Sequence, residues 1–365
     1  MTRTSAITLV AILLVFGVDG RAQLVADYGH VTERFTTTGV GRDVYAFIAP
    51  DSRTAFVTGN SLAVIGTDAV LVVDSGHVPS MARRMIGEIR RHTARPVRYL
   101  VNTHWHPDHA AGNGEYRAAF PDLAIISTSS TRRQLDAVMP DYATATPARV
   151  APALDMVKQM VKTGKKSDGS AVSADDRAFY EAQIEDFQAA LPEVARIVYA
   201  PPTAMVEDEL TIDLGGRTAV VKFLGRGNTA GDLIVYVPDA KVVATGDLLV
   251  APVPYATGSF VHDWIGTMTR LMSLDATTVV PGHGAIQHDW QYARQVRSVL
   301  EKIDAQAAKA VDDGLTVEDA RKRINLDDER KALAGSDPFQ LRIFDRYFAP
   351  IVDRAFKDAA YRAEK

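Results

Sequence analysis

The chain has 365 residues, 47% hydrophobic and 24% charged, which is the composition of a globular protein and not of a disordered or fibrous one. A net charge of −4 leaves no strongly basic surface for nucleic acid or anionic lipid. With no cysteine, the chain cannot build disulfide scaffolds, thiolate nucleophiles, iron–sulfur clusters or cysteine zinc sites, so any metal must be held by histidine and carboxylate.

In chain order, Arg3 precedes an apolar run at 6–18, and the small residues Gly20 and Ala22 stand three and one before Gln23. That is the pattern of a secretory signal peptide over residues 1–22. The apolar run is shorter than the about 20 residues a transmembrane helix needs. The expected mature chain is therefore secreted or periplasmic, without a stable membrane anchor.

Runs at 44–48, 55–58, 61–65 and 69–73 are β-rich and punctuated by Gly, Asn and Asp, the start of a hairpin-rich sheet. Helical spacing follows at 80–92 through Met81, Met85, Ile86 and Ile89, and 97–101 reads as a buried strand running into Asn102 and Thr103. Between about 127 and 203 the composition shifts to Ala, Lys, Asp and Gln. A loop at 162–169 divides two helical patterns there, the second opened by Ser173 with Asp176 three residues on. This stretch reads as a helical insertion, with Lys165 and Lys166 on solvated faces. Strands resume at 219–224, 233–237, 242–244 and 277–280, and helices dominate from Trp290 onward.

Chemistry concentrates in Thr103-His104-Trp105-His106-Pro107-Asp108-His109, which holds three of the nine histidines and an acid. At the exit of a buried strand, His104 and His106 can point imidazole nitrogens at one centre while Asp108 and His109 serve a second beside it. Imidazole and carboxylate donors suit Zn²⁺, with Fe or Mn as alternatives. Asp247 and His283, each beside a glycine after a strand, read on their own as turn residues, and loop residues His77 and His262 are candidates to line a cleft.

The segment His104-x-His106-x-Asp108-His109 after a buried strand resembles the signature of the metallo-β-lactamase superfamily. Other parts match in order. Val72-Val73-Asp74-Ser75-Gly76 resembles the strand whose acid supports the metal loop, and Leu224-Gly225-Arg226-Gly227-Asn228-Thr229-Ala230-Gly231-Asp232 resembles the third motif. Thr245-Gly246-Asp247-Leu248 resembles the bridging aspartate motif, and Pro281-Gly282-His283-Gly284 the last histidine motif. The resemblance implies an α/β fold, a four-layer α/β/β/α sandwich, over residues 23–288, with the insertion at about 127–203 and a C-terminal helical extension at 289–365. By position it implies His104 and His106 on a first metal, Asp108, His109 and His283 on a second, and Asp247 bridging. Asn228 stands where the family's third motif supplies a histidine. Its neutral amide oxygen is a weaker donor than imidazole, so one or two zinc ions are expected, with the first site weakened.

The implied activity is that of a zinc-dependent hydrolase acting on a small molecule. The metal lowers the pKa of a bound water towards about 7 and aims the resulting hydroxide at a lactone, ester, thioester or related amide carbonyl. Asp108 or Asp247 would orient the water or carry a proton to the leaving group. A β-lactam substrate is the alternative, although dedicated β-lactamases of the family usually carry Cys or Ser where Asp247 stands. A metal-binding pseudoenzyme is the alternative from a different class. The sequence Gly225-x-Gly227-x-x-Ala230 imitates a dinucleotide fingerprint, but the β-branched, proline-closed run after it predicts a strand where that fingerprint needs a helix.

Overall fold

A computed structural model describes residues 34–50 and 57–364 of the chain. The signal-peptide pattern at 1–22 lies outside them, as does the first half of the 55–58 run, whose described residues Val57 and Thr58 are not strand.

The first half runs β1 (Thr36–Gly41), β2 (Val44–Ile48), β3 (Ser61–Ile65), β4 (Val70–Val73), α1 (Pro79–His92), β5 (Val97–Val101), α2 (Pro107–Ala110), α3 (Asn113–Ala119) and β6 (Ala124–Ser127). The insertion follows as α4 (Ser129–Thr163) and α5 (Ala174–Val194), then β7 (Ala204–Met205) closes the first sheet. The second half runs β8 (Glu209–Asp213), β9 (Thr218–Phe223), β10 (Leu233–Val237), β11 (Val242–Val250), α6 (Val261–Leu271) and β12 (Thr278–His283). It ends in α7 (Gln291–Asp312), α8 (Val317–Arg323), α9 (Asp327–Ala334), α10 (Pro338–Ile343) and α11 (Ile351–Ala363).

Among the described residues the seven strands of the first sheet lie in sequence order, antiparallel from β1 to β4 and parallel from β4 to β7. The second sheet is ordered β12-β11-β10-β9-β8, with β12 parallel to β11 and the rest antiparallel. Period-two alternation sends successive side chains to opposite faces. In β4, Val70 and Val72 join the helices outside the first sheet, while Leu71 and Val73 face the second sheet. In β10, Leu233, Val235 and Val237 face inward and Ile234 packs outward against the C-terminal helices. Three apolar layers between four structural layers result: the α/β/β/α sandwich that the motif order implied.

The insertion shares the outer core of the first sheet, contributing Leu135, Met139, Tyr142, Leu154 and Phe187 beside Met81 and Ile89 of α1. Its capping box forms as expected, Ser173 accepting from Asp176 N, and Gly164 ends α4 in the left-handed conformation at φ 69°. Lys166 departs from expectation. Its side chain is only 10% exposed and pairs with buried Asp176 at 2.7 Å, because the turn folds back onto the start of α5 instead of facing water. Helices α7 to α11 share a core with β10, β11 and α6, burying Leu300, Ile303, Phe344, Phe348 and Ile351.

Strands β1 and β8 were not expected: β1, TTTGVG, lacks the apolar alternation a half-buried strand shows, while β8, ELTID, does alternate but is five residues long with only Ile212 buried. Strand β11 runs to Val250 instead of stopping at residue 244, which puts Asp247 inside a strand. No helix among the described residues is long and apolar enough to cross a membrane.

Trp264 of α6 ties this second layer to the metal-side loops: it is 1% exposed, its indole nitrogen donates to Leu248 O at 3.3 Å, and its ring closes on Gly227. Trp264→Ala should cost about 3–5 kcal/mol of stability, the usual penalty for emptying a large core site. Chemical denaturation of the purified variant checks this.

Candidate metal centre

The centre lies where the parallel strands of both sheets end. β4 ends at Asp74, β5 leads into His104, β11 carries Asp247 and β12 ends on His283. A register shift in the β11–β12 ladder around Gly246 turns Asp247 out of the regular pleat. Gly246 adopts φ +51°, and a Cβ there would stand 2.5 Å from Thr103 Oγ1; a Cβ on Gly282 would stand 2.1 Å from Asp247 Oδ1. These two glycines let the strand ends close on the carboxylate.

Asp74 is a non-glycine residue at φ 59°, a conformation that aims its carboxylate at the metal loop. Oδ1 accepts from Thr103 N at 2.8 Å, and Oδ2 accepts from Thr103 Oγ1 and from His109 Nδ1, each at 2.8 Å. The single hydroxyl proton of Thr103 is thus committed to Asp74, so the 2.9 Å contact between Thr103 Oγ1 and His104 Nδ1 has the histidine as donor. One carboxylate therefore orients both rings: His104 and His109 each hold a proton on Nδ1, which leaves Nε2 as the nitrogen that would ligate.

The free nitrogens converge. His104 Nε2 lies 2.8 Å from His106 Nδ1, and His109 Nε2 lies 3.1 Å from His283 Nε2. Asp247 stands between the pairs, Oδ2 at 3.4 Å from His104 and 3.7 Å from His106, and Oδ1 at 3.3 Å from His109 and 3.5 Å from His283. Asp108 Oδ2 completes the second set, 3.1 Å from His283 and 3.5 Å from His109. His104, His109 and Asp247 form one compact ligand group, and Asp108, His109 and His283 another. His109 sits within reach of both, a sharing that the spacing of the motif does not reveal.

Burial dominates the electrostatics. It pushes His104 down to about 4, with Asp247 opposing the shift. For His109 burial is again the largest influence, but Asp108, Asp247 and Asp74 together outweigh it and hold the imidazole well above its usual range. Burial would raise both Asp108 and Asp247, yet the surrounding histidines, His109 foremost, keep both below the usual carboxylate range. The cluster is thus a set of buried anions balanced by imidazolium protons, a balance a divalent cation can take over.

Asn228 is 2% exposed in a loop tied by Asp232, which accepts from Thr229 N and Oγ1 at 2.7 and 2.8 Å. Burial, the main influence, pushes Asp232 up to about 6. Asn228 Nδ2 donates to Tyr255 O at 2.5 Å, and the Tyr255 ring lies edge-on to His106 with centroids 5.4 Å apart. With the nitrogen so engaged, Asn228 Oδ1 is buried without a hydrogen-bond partner among the described residues, as is Asp247 Oδ1. Buried acceptors without donors are costly, and a cation satisfies both. Two ligands in a tetrahedral shell of ~2.1 Å bonds stand roughly 3.3 Å apart, and the separations of 3.1 to 3.5 Å around His109, His283, Asp108 and Asp247 match. The donor set therefore fits zinc.

Two residues proposed for a cleft lie elsewhere. His77 is 2% exposed with both ring nitrogens engaged, and burial lowers its pKa. His262, on α6, pairs with Asp304 and Arg362 of the C-terminal helices. The segment after Ala230 is strand β10, so the glycine pattern before it opens no helix.

The chain belongs to the metallo-beta-lactamase superfamily, whose sequence profile matches residues 54–283. This is a superfamily of hydrolases, and the described residues supply the candidate metal-binding groups. The chain is 24% identical over 287 residues to a linear primary-alkylsulfatase of Pseudomonas sp. (strain ATCC 19151), covering 74% of this chain and 50% of that protein. It is 28% identical over 111 residues to metallo-beta-lactamase IND-1 of Chryseobacterium indologenes, covering 29% of this chain and 45% of the other. The chain thus spans about half the length of these relatives or less. Among solved structures, a metallo-beta-lactamase from Pontibacter korlensis superposes with a TM-score of 0.49 at 18% identity, over 73% of this chain and 99% of that one. DIM-1 metallo-beta-lactamase gives 0.48 at 17% identity, over 73% and 97%.

Thr103 had no assigned role in the sequence, yet its hydroxyl links His104 to Asp74. Thr103→Val keeps the shape and removes the link, and should weaken zinc affinity about 10 to 100-fold, the usual effect of losing a partner that orients a ligand. Titration against a competing chromophoric chelator measures it.

Proposed function

We propose that the protein is a zinc-dependent hydrolase with a two-metal centre, acting on a lactone, ester, thioester or related amide. The observation that carries this reading is Asp247, whose two carboxylate oxygens each face a different histidine pair. His104, His106, Asn228 and Asp247 would hold the first ion, and Asp108, His109, His283 and Asp247 the second. When bound, zinc supplies Lewis acidity, polarising the scissile group and lowering the pKa of water there towards about 7.

The chain's own residues do the rest. Asp74 and Thr103 hold the imidazoles in one tautomer, so no reorientation is needed as the ligands engage. Asp108 and Asp247 are kept ionised by the surrounding histidines and can accept a proton from the attacking water and pass it to the leaving group. Trp105 and Tyr255, both partly exposed, flank His106 at 4.6 and 5.4 Å and offer apolar faces to a substrate at the rim.

A sulfate ester is a second reading, supported by the alkylsulfatase relative that matches 74% of this chain. β-Lactam hydrolysis is the reading the IND-1 similarity would favour, over a shorter stretch. The amino-terminal pattern supports export to the periplasm or beyond, where a small-molecule substrate would be met. A panel of lactone, ester, thioester, alkyl sulfate and β-lactam, with and without chelator, separates these activities. Zinc binding with no chelator-sensitive turnover on any of them would make the protein a binding pseudoenzyme.

Asp108→Ala removes the carboxylate of the second group and should reduce turnover to background with loss of bound metal; retained activity and metal would overturn the assignment. Asn228→His should strengthen the weaker zinc ion by about tenfold, within the range that ligand-environment changes reach. Equal, tight binding of two ions in the wild-type protein, unchanged by Asn228→His, would remove Asn228 from the first site.

A further inference from the structure

Helix α4 of the insertion approaches the second ligand group through Tyr142. Tyr142, 6% exposed, makes a 2.8 Å hydrogen bond with His77 Nε2, and His77 Nδ1 lies 2.7 Å from the carbonyl oxygen of Val57. The carbonyl can only accept, so Nδ1 carries the proton of the neutral ring, Nε2 accepts, and the Tyr142 hydroxyl donates. With the carbonyl and the ring so assigned, the phenol proton is committed to His77.

The segment that His77 grips backs the second ligand group. Gly59 N donates to Asp108 O at 3.3 Å, and a Cβ on Gly59 would stand 2.4 Å from His109 Cε1, so the backbone lies flat against that imidazole. Asn60 N donates to Gly282 O at 2.7 Å, and Asn60 Nδ2 donates to Pro281 O and Gly284 O at 2.9 Å, bracketing His283. Residues 57–60 therefore touch the backbone of Asp108, the ring of His109 and the residues on either side of His283. Asn60 anchors one end, and His77 anchors the other.

We propose that Tyr142 is a positioning residue for the second metal site: by donating to His77 it sets the ring that clamps residues 57–60 against Asp108, His109 and His283. The insertion is then coupled to metal binding and not only to the outer wall of the first sheet. Without the phenol hydroxyl, His77 Nε2 loses its donor, the ring is no longer held from its far side, and the Val57 end of the segment is free to move away from the ligands. This rests on the reading of that group as a metal site, and it predicts an effect on one ion more than on the other.

The test is zinc titration of the full chain against a chromophoric chelator, resolving both ions, for wild type, Tyr142→Phe, His77→Ala, His77→Gln and the Tyr142→Phe/His77→Ala pair. Tyr142→Phe keeps the ring and should weaken the tighter ion by roughly 3 to 10-fold, below the full range for a group in direct contact with a ligand. His77→Ala should do at least as much, and the double variant no more than His77→Ala alone, because both act through one clamp. His77→Gln can donate to Val57 and accept from Tyr142, so it should restore most of the affinity. A packing role alone would lower the melting temperature of Tyr142→Phe and leave both zinc affinities at wild-type values; that result, or additive losses in the pair, would overturn the proposal. Failure of the wild-type protein to bind zinc would instead overturn the metal-site reading on which it rests.

Discussion

The carboxylate of Asp74 is the contact on which the centre depends. It receives three donors, the Thr103 amide, the Thr103 hydroxyl and the His109 ring, and through Thr103 it also dictates the proton position on His104. Two imidazoles from different turns of one loop are thereby set by a residue on another strand. The positive φ at Asp74 is the local cost of that aim. The cost is tolerable because the parallel β4–β5 pair brings the two strand ends side by side, with Asp74 N donating to Val101 O at 2.8 Å.

The centre also has to solve a charge problem. Asp74, Asp108 and Asp247 lie within a few ångströms of one another's histidine partners, all buried. Isolated carboxylates in such a setting would be neutralised by protonation. Asp108 and Asp247 stay ionised because histidines hold protons in their place, His109 most firmly. The same arrangement makes metal binding a proton exchange: the cation enters as the imidazole protons leave, and the carboxylates lose little electrostatic support in the change. A buried site that is balanced in both states can be built into a folded scaffold without waiting for the ion.

How far the sequence could be read follows from how local each feature is. His104, His106, Asp108 and His109 crowd one strand exit, and Asp247 and His283 each follow an apolar run, so their convergence was legible once the motif order was seen. The apolar runs of β4 and β10 were legible as strands, and their division between two sheets followed from the motif order. Edge strand β1 was hidden because an exposed edge needs no apolar alternation, whereas the alternation of β8, Glu209–Asp213, was there to be read. Helix α4 was legible as a helical pattern despite Pro140, Pro147 and Pro152 within it; tertiary burial of Leu135, Met139, Leu154 and Val157 carries it through residues that would break an isolated helix. Tyr142 gave no signal at all. It is one aromatic on a helix, and its importance comes from His77, 65 positions away.

Asn228 shows why a departure from a family pattern is better read in its packing than in its identity. Its amide has two faces with different duties: the nitrogen anchors the loop after β11 by donating to Tyr255 O, and that loop is braced from the far side where Ala256 N donates to Tyr347 O at 3.0 Å. The oxygen is what remains, buried and without a donor. A cation bound at that oxygen would link the order of the loop to occupancy of the proposed first site. The C-terminal helices enter the same chain of contacts, because Tyr347 also stacks its ring within 5.4 Å of Tyr255, which in turn lies against His106. The two parts of the chain outside the shared motifs thus meet the centre on opposite flanks, the insertion at the second ligand group through Tyr142 and the C-terminal helices at the first through Tyr255. The family motifs place the ligands, and these flanking segments hold the loops that carry them.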